Sequence, residues 1–249
     1  MKVKVSCAQL APVLCDKTAN LKSMAGMIDR IMAEHPSTQL ILFPELIVSG
    51  YECAGEFQNL AETLPNGESM RFIGNYAEKY KVHIIYGFPE RDPLLTDVLY
   101  NSVALLGPDG GVIGSYRKVH LFGTEKEFFR AGCEYPVYDT EIGKIGMMIC
   151  WDTAFPEVAR SLALQGAELV AISTNWEKPY DADWDLVTRA RAFDNTIYIA
   201  AANRVGFDVS LGFFGRSKII GPLGAPIEEL NDEKEGTSSP SSTMTCQKN

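Results

Sequence analysis

The stretch Gly146-Met147-Met148-Ile149-Cys150-Trp151-Asp152-Thr153-Ala154-Phe155-Pro156-Glu157 decides how the rest of the chain is read. Its first part closes an apolar strand, Lys144–Cys150, expected to be covered on both faces. Pro156 suits the first turn of a helix, where a missing N–H loses no hydrogen bond. Val158, Leu162 and Ala163 continue that helix, and Gly166 suits its C′ position. Cys150 stands at the sharp turn between strand and helix. This is the layout of a nucleophile elbow, with the reactive atom held at a helix N-terminus. Backbone N–H groups at such a turn can receive an oxyanion and favour a thiolate.

Outward from this turn, short apolar runs alternate with helical patterns. Strands are expected at Val3–Leu10, Gln39–Phe43, Val82–Phe88, Tyr100–Leu106, Gly111–Arg117, Glu168–Thr174, Thr196–Asn203 and Arg216–Ile220. Leu21, Met24, Ala25, Ile28 and Met32 share one face of a helix from about Thr18 to Glu34. Met70, Ile73, Ala77 and Tyr80 do so in a second helix, and a further helix begins at Asp183 and carries Leu186, Val187, Ala190 and Phe193. Gly107-Pro108-Asp109-Gly110-Gly111 is a turn between two strands, so antiparallel pairing is mixed with βα units. The pattern predicts one α/β domain over residues 1–230 followed by a polar tail, 231–249.

Two more segments sit at strand ends, where α/β sheets carry their functional groups. Phe43-Pro44-Glu45 is one: Pro44 interrupts the ladder and leaves Glu45 at the edge. Ser115-Tyr116-Arg117-Lys118-Val119-His120-Leu121-Phe122 is the other, with apolar neighbours that enclose Lys118. Taken singly, a solvated loop acid and a surface Arg-Lys pair are the ordinary readings. Together with Cys150 they offer a thiol, a base and a cation. Cys7, Cys15 and Cys133 read as inert thiols, and no Cys-x-x-Cys pair or Cys/His cluster suggests a disulfide framework or a zinc site. The papain-type signature is absent, but a buried glutamate with a raised pKa can serve as the base in place of histidine.

In this order, Phe-Pro-Glu, Tyr-Arg-Lys-Val-His-Leu-Phe and Gly-x-x-Ile-Cys-Trp-Asp-x-x-Phe-Pro-Glu resemble the nitrilase, or carbon–nitrogen hydrolase, superfamily over about Val3 to Leu230. The resemblance implies a four-layer α-β-β-α sandwich with two mixed sheets and a Glu-Lys-Cys triad at Glu45, Lys118 and Cys150. A second glutamate usually lies seven residues before a glycine. Counting from Gly132 gives Glu125, with Glu127 as the alternative. The backbone N–H of Trp151 would assist Lys118 with the oxyanion, and Asn175, Trp176 and Tyr51 would line the pocket. Neither metal nor organic cofactor is needed, and homodimers or larger assemblies are implied. Glu177, Asp181, Asp183 and Asp185 could attract a cationic substrate, although helix capping and solvation account for acids in such a place.

The expected reaction is hydrolysis of a small linear amide through a cysteine thioester. A carbamoyl-amine hydrolase, a nitrilase or a catalytically silent scaffold are the alternatives. The composition agrees with an enzyme of small molecules: 46% hydrophobic and 22% charged residues exclude a disordered chain. With 23 basic against 32 acidic residues, net −9, the surface is ill suited to nucleic acid or anionic membranes. No apolar run reaches the roughly 18 residues needed to span a bilayer, and the start reads as a first strand of a cytoplasmic protein. There is no Gly-x-Gly-x-x-Gly or P-loop for a nucleotide. The tail departs from the family, which has an apolar strand there. Its Ser-Ser-Pro-Ser-Ser-Thr-Met-Thr is what such a strand becomes when suitable codons are read one nucleotide late, so the final strand is expected to be missing or altered.

Overall fold

The protein is described by a computed structural model covering residues 2–231, 233–238 and 244–245. Two six-stranded mixed sheets stack face to face. The first has the order Gly236–Ser238, Val5–Gln9, Leu40–Leu42, His83–Arg91, Leu99–Leu106, Val112–Arg117. The second has the order Val137–Thr140, Gly143–Ile149, Leu169–Thr174, Tyr198–Asn203, Lys218–Ile220, Pro226–Glu229. Each sheet pairs its strands antiparallel, parallel, parallel, antiparallel, antiparallel when read in this direction.

Side-chain alternation builds the layers. Along the first sheet Ile41, Phe43, Ile84, Tyr86, Phe88, Ala104 and Leu106 meet the helices Lys17–Glu34 and Glu68–Tyr80. Their neighbours Leu40, Leu42, Ile85, Val103 and Leu105 point the other way, against Met147, Ile149 and Ile172 of the second sheet. The helices Pro156–Leu164 and Asp181–Asn195 cover the far face of the second sheet. The continuous apolar run at residues 40–43 is thus a strand buried on both faces.

Boundaries move where capping and backbone geometry override periodicity. Asp16 caps the first helix by accepting from the N–H of Ala19, which starts it at Lys17. Arg216 has a positive φ of 59°, so the strand expected from there begins at Lys218. The segment after residue 230, expected as a polar, disordered tail outside the domain, pairs with other strands at its described residues. Gly236–Ser238 adds an antiparallel edge strand to Val5–Gln9, and Met244–Thr245 pairs with Lys2–Val3. Backbone ladders need no apolar side chains, and the Gln9 side chain donates to the Lys234 carbonyl at 2.8 Å to fix the approach. The final strand is therefore short and polar rather than missing. Residues 239–243 of the Ser/Thr-rich run lie outside the described residues.

Candidate active site

The turn at Cys150 is the tightest point of the second sheet. Ile149 ends the strand, a single 3₁₀ turn spans Cys150–Ala154, and the helix begins at Pro156. Cys150 holds a φ of +44°, a left-handed conformation that costs a non-glycine residue free energy and marks a conformation enforced by its surroundings. Asp152 supplies the enforcement. Its fully buried carboxylate accepts from the Ile149 N–H at 3.1 Å, from the Tyr116 hydroxyl at 2.7 Å and from the His120 N–H at 2.9 Å. One acid thereby ties the cysteine turn to the segment that carries Lys118.

Glu45 arrives from the first sheet. The Pro44 carbonyl accepts from the N–H of Gly87 on the neighbouring strand at 3.2 Å. A Cβ at residue 87 would collide with the backbone of Glu45 and Leu46, so only glycine permits the approach. Glu45 is fully buried. Its Oε1 accepts from Asn101 Nδ2 at 2.7 Å and from Lys118 Nζ at 2.7 Å, and its Oε2 accepts from the Asn175 N–H at 2.9 Å.

Lys118 is fully buried between two carboxylates, with Glu125 Oε1 at 2.6 Å on its second side. Glu125 is buried at the start of the short helix Glu125–Phe128, where it also accepts from the Tyr51 hydroxyl at 2.7 Å and the Phe122 N–H at 3.2 Å. Glu127, the alternative, is exposed. Burial works against the Lys118 ammonium, but the charges of Glu125 and Glu45 outweigh it and hold its pKa well above the usual value. Burial, reinforced by Glu125 and opposed by Lys118, pushes Glu45 up to about 6. Burial also raises the Cys150 thiol, with Glu45 adding to the rise and Lys118 opposing it. At neutral pH the resting pair is therefore a thiol facing a carboxylate, the arrangement from which a base takes a proton only as a bond forms.

Cys150 opens into a cavity of about 190 Å³. Trp151, Trp176, Phe122 and Tyr180 form its aromatic walls, and Glu177 and Asp183 stand among them. Trp176 packs between Trp151 and Trp184, its ring tilted by 42° and 41° to theirs, at centroid distances of 5.9 and 5.6 Å. Tyr51 holds Glu125 and is not part of the cavity wall. Asn175 contributes its backbone to Glu45, while its buried side-chain amide has no partner among the described residues. Two residues escaped the sequence reading: Asn101, an amide inside the strand Leu99–Leu106, and Asp152, which lay in the quoted motif without a role. A polar Asn-Ser pair interrupting an apolar strand was the only signal for the first. Among the described residues there is no cluster of His, Cys, Asp or Glu able to hold a metal, and no helix is long and apolar enough to cross a membrane.

Comparison with known proteins follows the same order of elements. The family model described as carbon–nitrogen hydrolase matches residues 4–244. A probable nitrilase of Schizosaccharomyces pombe is 53% identical over 236 residues, 95% of this chain and 87% of the relative. An omega-amidase of Saccharomyces cerevisiae is 33% identical over 249 aligned positions, covering 94% of this chain and 85% of its own. The crystal structure of Saccharomyces cerevisiae Nit3, a member of branch 10 of the nitrilase superfamily, superposes with a TM-score of 0.90 at 34% identity, over 96% of this chain and 89% of that one. A glutamate-to-glutamine mutant of the amidase from Nesterenkonia sp. AN1 superposes with a TM-score of 0.87 at 27% identity, over 97% and 90% of the two chains. That structure shows covalent addition of the acetamide moiety of fluoroacetamide at its active-site cysteine. The family match runs through both six-stranded sheets, and by it this chain belongs to the carbon–nitrogen hydrolases of the nitrilase superfamily, enzymes that here hydrolyse amide carbon–nitrogen bonds.

Proposed function

We propose that the protein converts a small linear carboxamide to carboxylate and ammonia, with Glu45, Lys118, Cys150 and Glu125 as its catalytic machinery. The observation that carries this reading is the burial of one ammonium between two carboxylates, all three within electrostatic reach of Cys150, which lines the cavity. Glu45 takes the thiol proton as the Cys150 sulfur bonds to the amide carbon. Lys118 and the Trp151 N–H hold the resulting oxyanion, where preorganised donors are worth most. Collapse breaks the carbon–nitrogen bond, and the amine leaves as ammonia with the proton from Glu45. Glu45 then takes a proton from water, whose oxygen attacks the thioester. The carboxylate departs and the proton returns to sulfur. Glu125 positions Lys118, and Tyr51 positions Glu125. Trp176 contacts the substrate beside Trp151, and Asn175 holds Glu45 through its backbone N–H.

The same reading places the enzyme in the cytoplasm as a homodimer or larger homo-oligomer. Leu164, Leu186, Phe193 and Leu223 are exposed on and beside the two helices over the second sheet, a concentration of apolar side chains that a second copy of the chain would cover. Sedimentation velocity would give twice the monomer mass or more, and a monomer at micromolar concentration would end that part of the reading. For the chemistry, purified protein would be offered matched amides, carbamoyl amines and nitriles, with ammonia as the readout. Release from amides is expected. Turnover confined to nitriles or to carbamoyl amines would replace the substrate class while keeping the nucleophile.

A further inference from the structure

The mouth of the cavity carries a charge pattern that its catalytic floor does not require. Four acids follow the strand Leu169–Thr174 in sequence, at Glu177, Asp181, Asp183 and Asp185, and the fold divides them. Asp185 is taken by Lys218 at 2.7 Å and Arg216 at 3.3 Å. Asp181 is exposed in the first turn of its helix and stands outside the cavity wall. Glu177 and Asp183 alone line the opening. The nearest sequence cation, Lys178, turns to Glu233 at 2.6 Å, and the cavity wall carries no basic side chain. Buried behind Cys150, Lys118 is outnumbered by Glu45 and Glu125. Glu177 lines the same cavity as Cys150, and burial raises its carboxyl pKa.

Trp151, Trp176 and Tyr180 line the cavity together with these two acids. Ring faces attract a cation through their quadrupole, and partial desolvation strengthens the attraction. The same walls carry no basic side chain to pair with an anion. We infer that Glu177 and Asp183 make the enzyme select amides whose far end carries a positive charge, such as an ω-ammonium or guanidinium group, over neutral isosteres, and reject amides ending in a carboxylate. This deepens the amidase reading and rests on Cys150 being its nucleophile.

Two measurements test it separately. Steady-state kcat/KM would be compared at low salt for ω-amino amides, alkyl amides of equal length and monoamides of dicarboxylic acids. The expected order is cationic, neutral, anionic, with about tenfold or more per step, equal to about 1.4 kcal/mol each. In the doubly substituted Glu177→Gln, Asp183→Asn protein the cationic-to-anionic ratio should fall toward one, whatever happens to absolute rates. Independently of turnover, Cys150 would be labelled with cationic and anionic methanethiosulfonates. The thiolate attacks the reagent sulfur, a mixed disulfide forms and methanesulfinate leaves. Relative to a neutral free thiol, the cationic reagent should be favoured at Cys150 by tenfold or more, followed by peptide mass spectrometry. Equal kcat/KM across the three amide classes, or an unbiased labelling ratio, overturns the charge selection and leaves the amidase reading standing. Absence of all amide hydrolysis overturns the amidase reading, and the labelling ratio alone then upholds or overturns the charge preference of the cavity.

Discussion

Two lysines are fully buried among the described residues, and each lies between two carboxylates, yet their surroundings differ. Lys218 meets Asp185 at 2.7 Å and Glu229 at 3.2 Å, with Arg216 joining both acids. Two cations balance two anions there, and the side chain of Asp185 is about a third exposed. Although burial works against it, the Asp185 pKa is drawn below its ordinary value by Lys218 and the neighbouring arginines. Lys118 has one cation's charge for two buried acids, and Glu45 rises to about 6 instead. The contrast teaches that a buried ion pair is not by itself a sign of catalysis. What distinguishes Lys118, the lysine proposed as catalytic, is an excess of desolvated carboxylate beside a thiol that lines a cavity.

The largest effect should separate the two lysines. Lys118→Met is expected to lower kcat/KM by about 10³-fold or more, as loss of a main oxyanion donor does. Lys218→Met should leave kcat/KM within about threefold and lower unfolding stability by about 2 kcal/mol, less than a fully enclosed pair because Asp185 can rehydrate. Urea denaturation and steady-state rates on both variants decide this, and equal losses of activity would erase the distinction. Glu125→Gln comes next, with a loss of about 10²-fold in kcat, since a displaced ammonium no longer meets the oxyanion squarely. Rescue of that loss by Glu125→Asp is not expected, because the shorter side chain cannot hold Nζ at 2.6 Å.

The pH profile provides a finer test. Glu45 must be ionised to accept the thiol proton, so kcat/KM should rise with pH through an acid limb near 6 and be lost below it. The Asn101 amide donates to the charged form of Glu45 and so lowers its pKa. Removing it in Asn101→Ala should move the limb to higher pH. A hydrogen bond to a charged group is worth about 1.5–3 kcal/mol, which corresponds to about one to two pH units. An unmoved limb would mean that a different group is titrating.

Much of this site was legible because its key residues stand at strand ends with local signatures. Pro44 announces Glu45, and the strand-to-helix change announces Cys150. Lys118 reads as enclosed only in the company of Val119, Leu121 and Phe122. Asn101 and Asp152 were not legible as functional, because their partners lie 56 residues away at Glu45 and 36 away at Tyr116. No periodicity encodes such pairing. The central strands followed from runs buried on both faces and their four-layer stacking from the family resemblance, but the half-exposed edge strands Val137–Thr140 and Pro226–Glu229 lack such runs and escaped notice. The strand Gly236–Ser238 escaped for a different reason, since its place comes from backbone pairing with Val5–Gln9 rather than from its side chains.

All the geometry converges on a covalent bond to one sulfur. Peptide mass spectrometry of protein quenched during turnover of an amide would test this most directly. The acyl group is predicted on Cys150 and on none of the other thiols, and absent after Cys150→Ala, with turnover lost. An unmodified Cys150 together with undiminished ammonia release from the Cys150→Ala protein would contradict it.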